Sequence, residues 1–327
     1  MWFKNYLTTQ GVTILILSCR LMAVEVVNYG DLPFREAIPP GSASMGGNSS
    51  LTDPLPGDFL LNPANNYGDG EAILFSFRDI LSGMGNSGLI SYSWTEGLYL
   101  ISAGLFQRII PGVPNTSNAL SFWDSEGPHL DYSKISRFDD KTIGFFLSSA
   151  KEMSPGMSVG LTVKPVIRKI DDAGAWGAGM DAGIVYRKND RFGIGMAVRN
   201  ILPLTQKWTT GNLEVVLPDI SGNFSYKYKQ VQFHGGLSTQ FTGKSIAKNN
   251  SNYMFGMQYL AFNTFTIKAG TSKTIPLSLG FSINIHQYHV DYVCQFEATE
   301  GNALLNQGVS LWMDLNTVLS GMNKLNP

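Results

Sequence analysis

No run of 18 apolar residues occurs in the 327-residue chain, so it offers no candidate transmembrane helix. Charge is also scarce. Asp, Glu, Lys and Arg make up 15% of the residues, against about 25% in ordinary soluble domains. Basic residues do not outnumber acidic ones (24 against 25), which argues against a nucleic-acid partner. Cysteine is nearly missing. If Cys19 leaves with an N-terminal signal, Cys294 stands alone, which excludes an intramolecular disulfide and a cysteine metal cluster. His286 and His289 have an odd spacing, which on a strand puts them on opposite faces. His129 and His234 belong to no motif with a Ser or a carboxylate, and Gly177 to Gly183 lacks the spacing of a nucleotide loop. Asp139-Asp140 and Asp171-Asp172 read as solvated loop acids rather than a Ca²⁺ site. The chain is read as a non-enzyme with no cofactor and no metal.

What the chain does have is alternation. Leu277, Leu279, Phe281, Ile283 and Ile285, with Ile275 before them, share one parity; Pro276, Ser278, Gly280, Ser282, Asn284 and His286 share the other. A strand sends successive side chains to opposite faces, so one face is apolar and the other small or polar. The pattern recurs. Met157, Val159, Leu161 and Val163 oppose Ser158, Gly160, Thr162 and Lys164; Phe192, Ile194, Met196 and Val198 oppose Gly193, Gly195, Ala197 and Arg199. A soluble β-sandwich also alternates. Low charge, 35 glycines (many inside strand patterns) and aromatics near strand ends, such as Trp94, Tyr99, Trp208 and Trp312, favour a transmembrane β-barrel. About fourteen antiparallel strands can be counted, the first starting near Ala72 and the last near Gln307. Arg at Ser278, on the polar face of strand 275–285, is expected to be milder than Arg at Leu279 if the lumen has room there. Arg108 to Lys141, Ile201 to Ser221 and Thr242 to Ser251 read as long loops. The stretch Ile110 to Asp140 is the expected cap over the external mouth, with Trp123 and His129 as binding candidates.

The N-terminus divides the chain further. Lys4, the short apolar core Val12 to Leu17, and Leu21-Met22-Ala23 read as a cleavable export signal over 1–23; a buried helix and a lipoprotein signal at Cys19 are the alternatives. Removing Lys4 and Arg20 leaves 22 basic residues against 25 acidic, a net charge near −3. The domain reading is signal 1–23, a hatch or plug segment 24–70, a barrel 71–315 and a tail 316–327. Gly30 to Tyr67, rich in Gly, Pro, Ser and Asn, is either a loose leader or a segment folded inside the lumen. Met45-Gly46-Gly47 suits a backbone packed closely inside the barrel, because two of its residues carry no side chain. Asn62-Pro63 suits a rigid turn. The matching inward positions on the wall are Gly193, Gly195, Gly236 and Gly280.

Gly41-Ser42-Ala43-Ser44-Met45-Gly46-Gly47 followed by Asn62-Pro63-Ala64 resembles the opening of PorV/PorQ-type proteins of the FadL-like outer-membrane barrels. Further landmarks follow in the family's order: Asp181-Ala182-Gly183-Ile184-Val185-Tyr186, Val198-Arg199-Asn200-Ile201, Leu217-Pro218 and Val290-Asp291-Tyr292. Ser42 and Ser44 stand where Arg or Ala is usual, and Asn65-Asn66 replaces the usual Gly-Leu. The resemblance implies an outer-membrane barrel of a two-membraned bacterium, with Gly41, Ala43, Met45, Gly46, Gly47, Asn62, Pro63 and Ala64 in its hatch.

Two roles follow from the resemblance. A PorV-like protein binds and assembles exported proteins, with type IX secretion components, secreted cargo and outer-membrane lipid as partners. The alternative is a FadL-type transporter, which passes hydrophobic small molecules from an external pocket, past the hatch, and out through a gap in the wall. The inward parity of Ser, Gly, Gln, Asn and Lys favours the first reading, since a transporter of apolar ligands is expected to show an apolar interior. A plain porin ranks third, because residues 30–67 are available to block the lumen.

Overall fold

The computed structural model describes residues 24–26, 32–66, 70–124, 127–241, 250–299 and 302–315. The proposed signal 1–23, most of the loop from Thr242 to Ser251 and the tail 316–327 lie outside the described residues. The barrel has fourteen strands: β1 (Ala72–Ile80), β2 (Gly85–Glu96), β3 (Tyr99–Asn115), β4 (Ser136–Ser154), β5 (Met157–Ile170), β6 (Ala173–Asn189), β7 (Phe192–Trp208), β8 (Asp219–Tyr228), β9 (Val231–Gln240), β10 (Asn250–Phe262), β11 (Phe265–Ser272), β12 (Leu277–Ile285), β13 (Tyr288–Thr299) and β14 (Asn302–Asp314). Each pairs antiparallel with its chain neighbours, and β14 pairs with β1 from Gln307↔Asp79 to Asp314↔Ala72. Closure leaves no unpaired edge around the ring, which is what a bilayer demands of strands.

Six connections at one end are two-residue turns, such as Gly97-Leu98, Pro155-Gly156 and Lys229-Gln230. Both ends of the barrel chain, before Ala72 and after Asp314, lie on that side. Short turns mark the periplasmic end and long loops the external one. The external loops are shorter than the sequence predicts. Asn115 pairs with Ser136 and Arg108 with Thr142, so both ends of the expected cap are strand standing above the membrane. Only 116–135 is a connection, and it carries its own hairpin, Leu120–Asp124 with Gly127–Leu130. β7 likewise runs on to Trp208, and its upper part pairs with the short strand Leu213–Val216. Val24–Val26 pairs in parallel with Leu213–Val215, which places it at the external rim rather than in the lumen.

The alternation separates lipid from lumen. Leu277, Leu279 and Ile285 are 43%, 45% and 56% exposed, while Ser278 between them is fully buried. Phe233 and Leu237 face out where Gln232 and His234 are buried. A surface this apolar suits hydrocarbon, and the polar residues inside are the ones that carry hydrogen bonds. Ile275 is an exception to the expected strand, lying in the external turn between β11 and β12. Trp312 is another. It turns inward and stacks on His289 at 3.5 Å rather than joining an outer girdle.

Residues 32–66 occupy the lumen as two short helices, α1 (Leu32–Glu36) and α2 (Pro40–Ala43), and a 3₁₀ turn, Asp58–Leu60. Segments this short cannot hold themselves; side chains tie them together. Asp58 is the clasp. Its carboxyl oxygens accept from Ser42 Oγ (2.5 Å) and from the Leu55 backbone N–H (2.9 Å), joining three parts of the segment. Wholly buried, Asp58 has its pKa pushed up to about 7, chiefly by loss of water. The two hydrogen bonds and the Lys268 ammonium pull it down, and Asp291 pushes it up. The wall tethers the rest. Arg187 donates to Leu51 O (2.6 Å) and Asn65 Oδ1 (2.8 Å), and Ser278 Oγ donates to Ala43 O (2.9 Å). That last bond overturns the expected room at Ser278, which is packed against the segment.

Two outcomes follow. Leu279→Arg should cost about 2–4 kcal/mol near the bilayer midplane, measured by urea unfolding in vesicles; Ser278→Arg should instead loosen the luminal segment, making it protease-sensitive. For Asp58, the folded value lies above the ordinary carboxyl value of 3.8, so the folded segment binds more protons between pH ~4 and ~7. Its stability should fall as pH rises through that window. Hydrogen exchange of residues 42–58 should show this loss, and Asp58→Asn should reduce it; an unchanged slope in Asp58→Asn contradicts the clasp.

Candidate functional site

The sequence-predicted residues meet inside the barrel. Met45 is wholly buried, and its carbonyl lies 2.5 Å from where a Cβ at Gly256 would stand. Gly46 takes φ +72°, a conformation costly for other residues, against the Phe255 and Thr271 carbonyls. A Cβ on Gly193 would lie 2.9 Å from Leu51; on Gly195, 3.1 Å from Asn62 Nδ2; on Gly236, 2.9 Å from Asn48 Oδ1; on Gly280, 2.5 Å from Ser44. Gly41 packs on Leu55, and Gly47 turns at φ +86°. Asn62 Nδ2 donates to Ile184 O and Met196 O, both at 3.3 Å, which pins the Asn62-Pro63-Ala64 turn to the paired strands β6 and β7. Asn62 Oδ1 accepts from the Ala64 N–H at 3.0 Å. The residues that depart from the resembled family are used as well. Ser42 binds Asp58, Ser44 donates to Gly41 O, and Asn66 Nδ2 donates to Leu100 O. Gly160, Gly183 and Gly270, which also abut the segment, were not singled out from sequence, although they share the same small-residue parity.

Above the luminal segment, on the external side, lies a vestibule of about 310 Å³. Its walls mix polar side chains, among them Arg78, Asn223, Gln240, Asn252, Gln295 and Asn306, with a larger share of apolar surface. Ile38, Leu61, Ile80, Met254 and Ile275 contribute to that apolar surface, which the polar side chains interrupt. The charges are mostly paired. Arg108 bonds Glu36 and Asp140, and Arg168 bonds Asp140. Burial raises the Glu36 carboxyl above its ordinary value despite Arg108, which pulls the other way.

Beside the vestibule lies a second, much smaller cavity of about 10 Å³, the throat, with Arg35, Ile38 and Arg199 lining both. Here the lining turns aromatic. Phe34 meets Phe146 edge-on at 5.4 Å, and Leu60 completes the apolar side. Opposite them sits the buried pair Lys164–Asp181 at 2.7 Å, with Lys164 Nζ 5.4 Å from the Phe34 ring centre. A buried ion pair of this kind holds position more than it stabilises. Directly behind it the wall is irregular. Along β6 and β7 the register runs Val198↔Ala182, then Leu202↔Met180, then Thr205↔Ala178, so β7 carries three extra residues across this stretch. Asn200 there takes φ +55°, and its N–H leaves the ladder to donate to Asp181 Oδ1 at 2.7 Å. Pro203, three residues on, has no N–H to offer. Other register shifts among the described pairings lie near strand ends. Asp181 and Asn200 entered the sequence reading only through the family resemblance; their contact with each other had no local signal.

Neither external-loop candidate joins this site. His129 stacks on Phe122 at 4.2 Å within the 116–135 hairpin, and Trp123 pairs with Pro128 across it. The hairpin stands outside the rim because β3 and β4 extend beyond it; among the described residues it contributes nothing to the vestibule.

No family model and no curated protein matches this sequence. Solved structures do match its fold. The Pseudomonas putida toluene transporter TodX is 12% identical with a TM-score of 0.68, over 86% of this chain and 99% of that one. The Ralstonia pickettii toluene transporter TbuX is 16% identical with a TM-score of 0.62, over 85% and 98%. A Pseudomonas aeruginosa FadL homologue is 12% identical with a TM-score of 0.55, over 84% and 98%. The FadL-like half of the sequence resemblance is thereby supported, and the PorV/PorQ half is not. The chain has the closed fourteen-strand fold of FadL-like outer-membrane barrels.

Proposed function

We propose that this protein is a passive route for small hydrophobic molecules through the outer membrane, with residues 32–66 as its hatch. The observation that carries the reading is the break in the β6–β7 ladder at 198–205, which lies against the throat in the lumen and against lipid outside. A continuous ladder is the rule for a barrel wall. Where it lapses, a molecule inside has the shortest path to hydrocarbon, and Ile201 and Leu202 already present apolar surface there. An apolar solute leaving sideways enters lipid directly and gains by burial of its surface. The likeness to toluene transporters supports this reading over the role in protein secretion that the PorV-like motifs imply.

Strands β6 and β7 must separate for the route to open, since the throat is too small for a ring. Met180 and Leu202 are direct partners across the break. Met180→Cys/Leu202→Cys, made with Cys294→Ser, therefore places a reversible lock there. Cells making the oxidised form should lose protein-dependent uptake of para-xylene and para-cresol, and reduction should restore it. Equal uptake in both redox states contradicts exit through this wall. Recovery of secretion components with the tagged protein, and no uptake, points instead to the secretion role.

A further inference from the structure

Among the described residues the path holds hydrogen-bonding groups without partners, and at two places a donor and an acceptor stand together. At the vestibule floor, Asp219 and Gln240 are cross-strand partners on β8 and β9, buried to 2% and 3% exposure. Arg199 occupies Asp219 Oδ2 and Arg35 occupies Gln240 Oε1. Asp219 Oδ1, an acceptor, and Gln240 Nε2, a donor, are left with none among the described residues. In the throat, Lys164 and Asp181 satisfy each other as an ion pair, and they set a donor and an acceptor side by side next to Phe34 and Phe146. At the break, Asn200 is fully buried, and neither Nδ2 nor Oδ1 has a partner among the described residues. Each of these three stations sits beside apolar side chains: Ile38 at the first, Phe34 and Leu60 at the second, Ile201 and Leu202 at the third.

A bare hydrocarbon answers none of these groups and must leave them dry. A buried amide without a partner is costly, and a hydroxyl donates and accepts at once. The throat's 10 Å³ takes one water-sized group, the bulk of a hydroxyl and not of a ring. A ring would have to displace Phe34, while its hydroxyl fits beside Lys164 and Asp181 as they stand. We propose that the molecule this path selects is a small apolar body bearing a hydroxyl, an alcohol or a phenol, in preference to the matching hydrocarbon. The inference rests on the passage read above and names the class of molecule it carries.

The test compares para-cresol with para-xylene, which differ by a hydroxyl in place of a methyl. Uptake of each is measured in cells making the full chain, over cells lacking it. A site built for a hydroxyl rejects the analogue without one, so the native chain should favour para-cresol by about tenfold or more. Asn200→Gly keeps the left-handed backbone of position 200 and removes the amide; Gln240→Met removes the donor in the vestibule. With heat-modifiable mobility showing both variants folded, each should bring the ratio of para-cresol to para-xylene uptake down toward one. A native ratio at or below one, with para-xylene entering, overturns the hydroxyl preference and leaves the passage standing. A strong ratio that neither variant lowers overturns the assignment to these groups. Uptake of neither compound removes the passage and this inference together.

Discussion

Fourteen strands enclose more space than their own inward side chains fill. Eight strands make a lumen that side chains alone close, so a barrel of this girth is either a water-filled pore or a container for more chain. Here it is a container. The need to fit folded backbone inside the ring accounts for the small inward residues, because Gly193, Gly256 and Gly280 stand where a Cβ would strike Leu51, Met45 or Ser44. It accounts as well for the polar lumen. The inserted backbone presents carbonyls and N–H groups of its own, and Ser278, Arg187 and Asn62 on either side meet them. An apolar lumen would leave those groups unpaired.

Hatch and wall are therefore coupled at one place above others. Asn62 bonds the carbonyls of Ile184 and Met196, a cross-strand pair two residues below the last regular pairing before the break, Val198↔Ala182. Above that point, Asp181 takes the Asn200 N–H that the ladder gives up. Movement of the Asn62-Pro63-Ala64 turn would release two carbonyls on the very strands that must part. Phe34 belongs to the same segment and fills the throat. Throat, break and luminal segment thus share one set of contacts.

Much of the fold could be read from parity alone. Strands at 157–170 and 231–240 alternate over most of their length, and the count of fourteen rested on that pattern and on the short turns. Loop lengths were misjudged where strands continue above the membrane. Beyond the bilayer both faces of 108–115 and 136–141 meet water or polar groups, so alternation no longer marks a strand. The glycines of the segment and the wall were visible as small residues on one face. The clasp at Asp58 was not, since nothing in Leu55-Pro56-Gly57-Asp58 shows that Ser42 returns to it. Lys164 is legible only as one more residue on the polar face, because its partner Asp181 lies on the next strand. The break was hidden for the same reason. An extra residue on one strand is defined only against the other, and three are spread here over a stretch that reads as loop from Ile201 onward.

The central claim is that residues within 32–66 close an otherwise open barrel. Single-channel recording in planar bilayers of a variant lacking 45–63, beside the intact chain, tests it most directly. The account predicts a folded barrel in both, with large steady conductance only in the deletion. A folded deletion variant that conducts no more than the intact chain would contradict it.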